Sequence, residues 1–172
     1  MSPEEELVLV LRAQNGEREA LSKIWDVATP KLYGYLVNVV REPALAEDLL
    51  QQTWLKAISA LSRFRPRGVR FSAWLFAIAR NECRQHWRST NRHGLPEVRE
   101  EGSSDPQTLE EKIFVDTVLE ALSEEDREIL RLRYLADLSF KDIAQILVIS
   151  PIAARVRVHR ALSRAHLIVN NN

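Results

Sequence analysis

The residues of this chain that could do chemistry are its arginines. Arg155, Arg157, Arg160 and Arg164 crowd one short stretch, and Arg80, Arg84 and Arg88 recur at i, i+4 and i+8 along another. A guanidinium is permanently charged and offers a rigid fork of donors, which suits phosphates and the O6/N7 edge of guanine. Trp87 falls near the second stripe by helical angle, and Phe64 stands in a loop among Arg63, Arg65, Arg67 and Arg70. Cations for phosphates and π-faces for unstacked bases are what a single strand requires. Phe64, on a Pro/Gly loop, is expected to serve that function, whereas Trp74 reads as a core anchor and Trp87 fits either role. The plain alternative for each charge run is a solvated basic face.

No enzyme site accompanies them. The chain has no glycine-rich phosphate loop and no nucleophile motif. Cys83, His86 and His93 are the nearest approach to a metal cluster, and scattered ligands short of four do not make a zinc site. No catalytic residue, metal, cofactor or small-molecule substrate is expected. A lone cysteine excludes a disulfide framework. No apolar run approaches the ~18–20 residues of a membrane span, and the acidic start MSPEEELVLV is no secretory signal. These features imply a soluble, cytoplasmic protein.

The elements that must position the arginines are helices throughout. Ser2-Pro3-Glu4-Glu5 has the order of a helix start, and Gly16 closes that first helix. Further helices are expected over 17–28, from Pro30 to Val40, over 44–62 and over 71–90, with 63–70 as a Pro/Gly loop. Residues 91–108 hold Gly94, Pro96, Gly102, Ser103, Ser104 and Pro106 among acids, which suits a flexible linker. Beyond it come helices over 109–122, 124–135, 140–147 and 151–168, with Ser123, Ser139 and Ser150 as N-caps. The expected class is all-α, as two small helical domains over 1–91 and 109–172 joined by the linker 92–108.

Two spacings carry the packing argument. Ala46, Leu50, Trp54, Ala57 and Leu61 form a core stripe, which leaves Glu47, Asp48, Gln51, Gln52, Lys56 and Ser59 on a polar face. Ile143, Ala144 and Leu147 point inward on one short helix, and Ala154, Val158, Ala161 and Ala165 on the next, with the arginines off that stripe. Two short helices joined by about three residues, the second one basic, have the form of a helix-turn-helix unit whose second helix enters the major groove. An ordinary basic helical hairpin shares that form; four arginines against one acid favour DNA binding. The net charge of zero conceals the pattern, since residues 1–91 carry +3, 92–130 carry −8 and 131–172 carry +5.

The chain resembles the bacterial sigma factors of the extracytoplasmic-function (ECF) type, in the sigma-70-like family. The matching words in the first block are Leu32-Tyr33-Gly34-Tyr35-Leu36, Ala46-Glu47-Asp48-Leu49-Leu50-Gln51, Phe64-Arg65, Phe71-Ser72-Ala73-Trp74-Leu75 and Ile78-Ala79-Arg80-Asn81. In the second they are Leu138-Ser139-Phe140, Asp142-Ile143-Ala144, Ile149-Ser150 and His159-Arg160-Ala161. Their order and spacing are specific, though no single word is.

The resemblance implies a sigma region 2 bundle in the first block and a region 4 helix-turn-helix in the second. Region 2 would dock on the β′ clamp helices of core RNA polymerase through Glu47, Asp48, Gln51 and Gln52. It would recognise and melt the −10 element with Phe64, Arg65, Arg67, Arg80, Asn81, Arg84, Trp87 and Arg88. Region 4 would read the −35 element of promoter DNA with Ser150, Ile152, Ala153, Arg155, Arg157, His159 and Arg160, and would touch the β flap. The acidic linker would thread the RNA exit path, and a membrane-associated anti-sigma factor would control the whole. Departures stand at Gln52 and Gln85, both often acidic, at Val148, usually Gly, and at Ile152-Ala153, often Gly-Thr. The competing functions are a helix-turn-helix regulator that works without polymerase, and a sigma-like adaptor that sequesters an anti-sigma factor.

Overall fold

The computed structural model describes residues 1–66, 68–90 and 117–170. Among these residues all regular structure is helical. The first unit is a bundle of α1 (Pro3–Gln14), α2 (Arg18–Val40), α3 (Pro43–Ala60) and α4 (Phe71–Thr90). α1 begins with a reciprocal cap. The Ser2 hydroxyl accepts from the Glu5 N–H at 3.1 Å, and the Glu5 carboxylate accepts from the Ser2 N–H at 2.7 Å. The chain turns out of α1 at Gly16, whose φ of +89° is one that side chains rarely adopt.

Pro30 does not open a helix as expected. α2 runs through it unbroken from Arg18 to Val40. The ring forfeits one backbone hydrogen bond, but Ile24 before it and Leu32, Tyr35 and Leu36 after it are all buried. Packing against α1 and α3 holds both halves of the helix in line. In the same core Trp25 stacks on Trp54 with ring centroids 4.5 Å apart, and Tyr35 meets Phe76 edge-on at 5.5 Å.

The loop between α3 and α4 starts with one tight 3₁₀ turn, Leu61–Arg63. The Gln14 side-chain amide donates to the carbonyls of Leu61 and Phe64, both at 2.8 Å, and ties the loop to α1. Phe64 does not stand out from the loop as expected. It is 7% exposed, with its ring centroid 5.6 Å from that of Phe71 and 4.8 Å from that of Trp74. Burying a large aromatic face outweighs the loop's tendency to face water.

In the second unit a helical turn over 117–120 leads to α5 (Glu124–Leu130), α6 (Phe140–Leu147) and α7 (Pro151–Asn170). All three serine caps form. Ser123 accepts from Asp126 N–H at 3.2 Å, Ser139 from Asp142 N–H at 3.2 Å, and Ser150 from Ala153 N–H at 3.1 Å. Past Leu130 the helix widens over Arg131–Leu135, where the Ala136 N–H donates to the Arg131 carbonyl five residues back. Ile143 and Ala144 are buried as the spacing implied, and Ile146, which the spacing did not single out, joins them. The 92–108 linker lies outside the described residues, as does the 109–116 part of the helix expected over 109–122.

The two units are packed on one another along one continuous apolar core. α2 meets the widened segment after α5, and α4 meets α6.

Candidate nucleic-acid interface

Ala154, Val158 and Ala161 of α7 are buried at 0%, 3% and 0% exposure, with Leu162, Ala165 and Ile168 half-buried beside them, so the face that carries the arginines turns out. Small residues on the inner stripe let α6 cross closely. Arg155, Arg157, His159, Arg160 and Ile152 are all exposed, Ala153 is half-buried, and the Ser150 cap stands at the helix start. Among the described residues Arg155, Arg157 and Arg160 enter no ion pair. Arg164, a turn further on, is held by Asp126 of α5 at 2.6 and 2.7 Å. The free arginines are therefore those nearest the N-terminal half of the second hairpin helix, where base contacts are made in helix-turn-helix proteins.

On α4 the predicted stripe divides. Asn81, Arg84, Trp87 and Arg88 are exposed. Arg80 is mostly covered and grips Glu128 of α5 with two bonds, at 2.5 and 3.1 Å. That pair holds the Arg80 guanidinium above its ordinary pKa, against the opposing effect of burial. Arg65 folds back, donating to the carbonyls of Ser62 at 2.9 Å and Phe64 at 3.2 Å. Arg67 lies outside the described residues. Arg70 turns inward to Glu6 of α1 at 3.0 Å. Arg80, Arg84, Arg157, Arg160 and Arg164 thus line one cleft of about 320 Å³ with Glu125, Asp126 and Glu128. Arginines that sequence reading assigned to two different domains share it.

The expected polar face of α3 is solvent-exposed, with Glu47, Asp48, Gln51 and Gln52 all outward. Leu55 at 68% and Ile58 at 43% exposure continue it. Sequence reading passed over both, although the spacing 48, 51, 52, 55 that places them on one face was legible. The Lys56 ammonium reaches across to the buried Glu82 of α4 at 2.6 Å and fixes this face relative to the arginine stripe.

Residues 27–93 match the model of sigma-70 region 2, and residues 115–164 match that of sigma-70 region 4. The chain is 33% identical over 162 residues to the RNA polymerase sigma factor CarQ of Myxococcus xanthus, covering 89% of this chain and 91% of that one. It is 32% identical over 169 residues to the ECF RNA polymerase sigma factor SigD of Mycobacterium bovis, covering 91% and 80%. The chain belongs to the ECF sigma factors. Among solved structures it is similar to the sigma factor RpoE of Bartonella quintana, seen with the anti-sigma factor NepR, at a TM-score of 0.70 and 26% identity over 87% of this chain and 96% of that one. It also shares the fold of CnrH, seen with the cytosolic domain of CnrY, at a TM-score of 0.77, 23% identity, and 98% and 99% coverage.

As a sigma factor the protein binds core RNA polymerase and promoter DNA and directs promoter-specific transcription initiation. The region 2 match takes in the second half of α2, α3 and α4, and the region 4 match takes in the helix-turn-helix of α6 and α7. Among the described residues no helix is long and apolar enough to cross a membrane.

Proposed function

We propose that this sigma factor divides its work by surface. Residues 1–91 act as region 2, 92–108 as the linker and 109–172 as region 4. Glu47, Asp48, Gln51 and Gln52, extended by Leu55 and Ile58, dock on the β′ clamp helices. Arg65, Arg67, Arg80, Asn81, Arg84, Trp87 and Arg88 hold the −10 strand, with Phe64 as the wall beneath the loop. Ser150, Ile152, Ala153, Arg155, Arg157, His159 and Arg160 read the −35 duplex.

The observation that carries this reading is the outward face of α7. Three arginines stand there without ion pairs among the described residues, over an inner stripe of Ala154, Val158 and Ala161. Phosphate contacts by such a face give salt-dependent affinity, and contacts to base edges give register. Stacking and cation contacts on α4 offset the few kcal/mol that unstacking a base step costs. The protein makes and breaks no covalent bond, so it is not an enzyme; polymerase supplies the catalysis. It acts in the cytoplasm, where promoters and core enzyme are. Two relatives of the same fold are seen with the anti-sigma factor NepR and the cytosolic domain of CnrY. Control of this chain by an anti-sigma factor follows from that likeness.

Run-off transcription with core polymerase, with and without the protein, tests the reading on DNA upstream of its own coding sequence and on other candidate promoters. Start-site-specific transcripts are expected only when the protein is present. Their absence on every template would overturn the reading, and tight sequence-specific binding without polymerase would favour a conventional regulator.

A further inference from the structure

We infer, resting on the assignment of α7 to the −35 duplex above, that Ile152 and Val156 select a thymine there through its C5-methyl group. Both belong to the first two turns of α7, since Pro151 opens the helix and the Ser150 hydroxyl accepts from the Ala153 N–H at 3.1 Å. Counting about 100° per residue from Ala154, they lie at about 160° and about 200° around the axis. That is the side opposite the inner stripe of Ala154, Val158 and Ala161, so core packing accounts for neither. Ile152 is 77% exposed and Val156 42%. A single apolar residue on a surface needs no explanation. These two are neighbours one turn apart, on the face assigned to DNA. Ile152 also stands at one of the positions where the chain departs from the words of its family.

The surroundings of the pair indicate what it meets. Residues 151–164 contain no acid. Arg155 and Arg160 lie on either side of the pair, both exposed and, among the described residues, both without an ion pair. Guanidiniums at the flanks hold phosphates and orient the helix on the duplex, which carries the apolar line between them toward the base edges. An isoleucine or valine side chain has no donor and no acceptor, so it cannot tell one polar base edge from another. The thymine C5-methyl is the apolar group that the major groove displays. Contact with it removes apolar surface of both partners from water. A cytosine amino group at the same place would lose its water without gaining a partner, which costs free energy. Both side chains are branched and stiff at χ1, so little freedom is lost on contact. The arginines thus supply affinity, and the pair supplies a preference for thymine at the position it touches.

The test uses holoenzyme, assembled from core polymerase and the full chain, on a promoter at which it gives a start-site-specific transcript. Each thymine of the −35 region, on either strand, is replaced in turn by deoxyuridine, which removes the methyl group and keeps the pairing. Competition binding reads the affinity. The parent is expected to bind one or two of these templates about four-fold more weakly than the thymine template, the effect of withdrawing one methyl from an apolar contact. Ile152→Ala with Val156→Ala changes only outward positions. This double variant should bind the thymine template about four-fold more weakly and no longer distinguish it from deoxyuridine. Arg155→Ala should weaken binding to both templates alike and keep their ratio.

Equal binding of every deoxyuridine template by the parent overturns the inference, as does a −35 region with no thymine on either strand. A ratio that survives in the double variant overturns it as well, because another group then feels the methyl. Weaker binding of the double variant to core polymerase without DNA assigns the pair to a polymerase contact, with the same consequence. Absence of a start-site-specific transcript on every template strikes the assignment of α7 itself, and the thymine contact with it.

Discussion

Val148 is the residue at which the chain departs most visibly from local preference. It ends α6 with φ 56° and ψ 50°, a left-handed conformation in which a β-branched side chain is strained, and its side chain is 89% exposed, so packing returns little. Val148→Gly should stabilise the protein by about 1 kcal/mol and raise the thermal midpoint by about 2–4 °C, followed by circular dichroism. An unchanged midpoint would mean that the turn relaxes elsewhere. Cys83 shows the opposite situation, a side chain fully served by its surroundings. Burial pushes its thiol up to about 12, and the thiolate is the nucleophile. Alkylation of the native protein at about pH 8.5 should thus be far slower than in denaturant. The sign of the shift also means that this group's contribution is intact below the unfolded-state value of 9.0 and is lost as pH rises toward 12. Rapid native alkylation would contradict the burial.

At the level of elements, starts and stops were readable because they are local. A serine hydroxyl accepting from an N–H three residues on needs no tertiary partner, and Ser2, Ser123, Ser139 and Ser150 all do this. Pro30 misled for the same reason, since the local cost is real and only packing of Ile24, Leu32, Tyr35 and Leu36 overrides it. Apolar spacing identified the inner stripe of α3 except that Leu49 is buried where Leu50 was expected, and it did not identify the use of the outer face. By spacing alone Asp48, Gln51 and Gln52 read as ordinary surface and only the family resemblance gave them a partner, whereas Leu55, 68% exposed beside them, joins that face in the structure. Leu55→Asp should leave helicity and the thermal midpoint unchanged, since the side chain packs on little. If α3 docks on polymerase, the same change should weaken core binding about ten-fold, the 1.4 kcal/mol typical of a useful apolar contact at an interface. Equal affinity for core enzyme would remove Leu55 from the docking face.

For the whole molecule the deciding contact is Arg131. It is 4% exposed, and it donates to Asn38 of α2 at 2.7 Å and to Glu124 of α5 at 3.0 Å. Burial lowers its pKa while Glu124 opposes the shift. Isolated surface ion pairs contribute little, so the units are held chiefly by this bond and by the shared apolar core. All four tryptophans, Trp25, Trp54, Trp74 and Trp87, lie in the first unit. Tryptophan fluorescence therefore follows that unit alone, whereas far-ultraviolet dichroism follows both. In urea the two signals should coincide for the parent. Arg131→Ala leaves Asn38 without its partner and should cost about 1–3 kcal/mol. It should also separate the two transitions. Coincident transitions in the variant would show that the apolar contact suffices.

Sequence alone determined the helical class, the serine caps, the basic face of α7 and the family, because each depends on residues near in the chain or on an ordered series of words. It also exposed the charge pattern hidden in a total of zero, although not how those charges meet. Tertiary structure decided that Phe64 turns inward, that α2 crosses Pro30 unbroken, and that Arg80 is matched to Glu128 instead of standing free. Those outcomes depend on which groups approach across tens of residues, where burial and ion pairing compete with local preference. An arginine stripe reads the same in sequence whether its counter-charge is a phosphate or a carboxylate of the same chain.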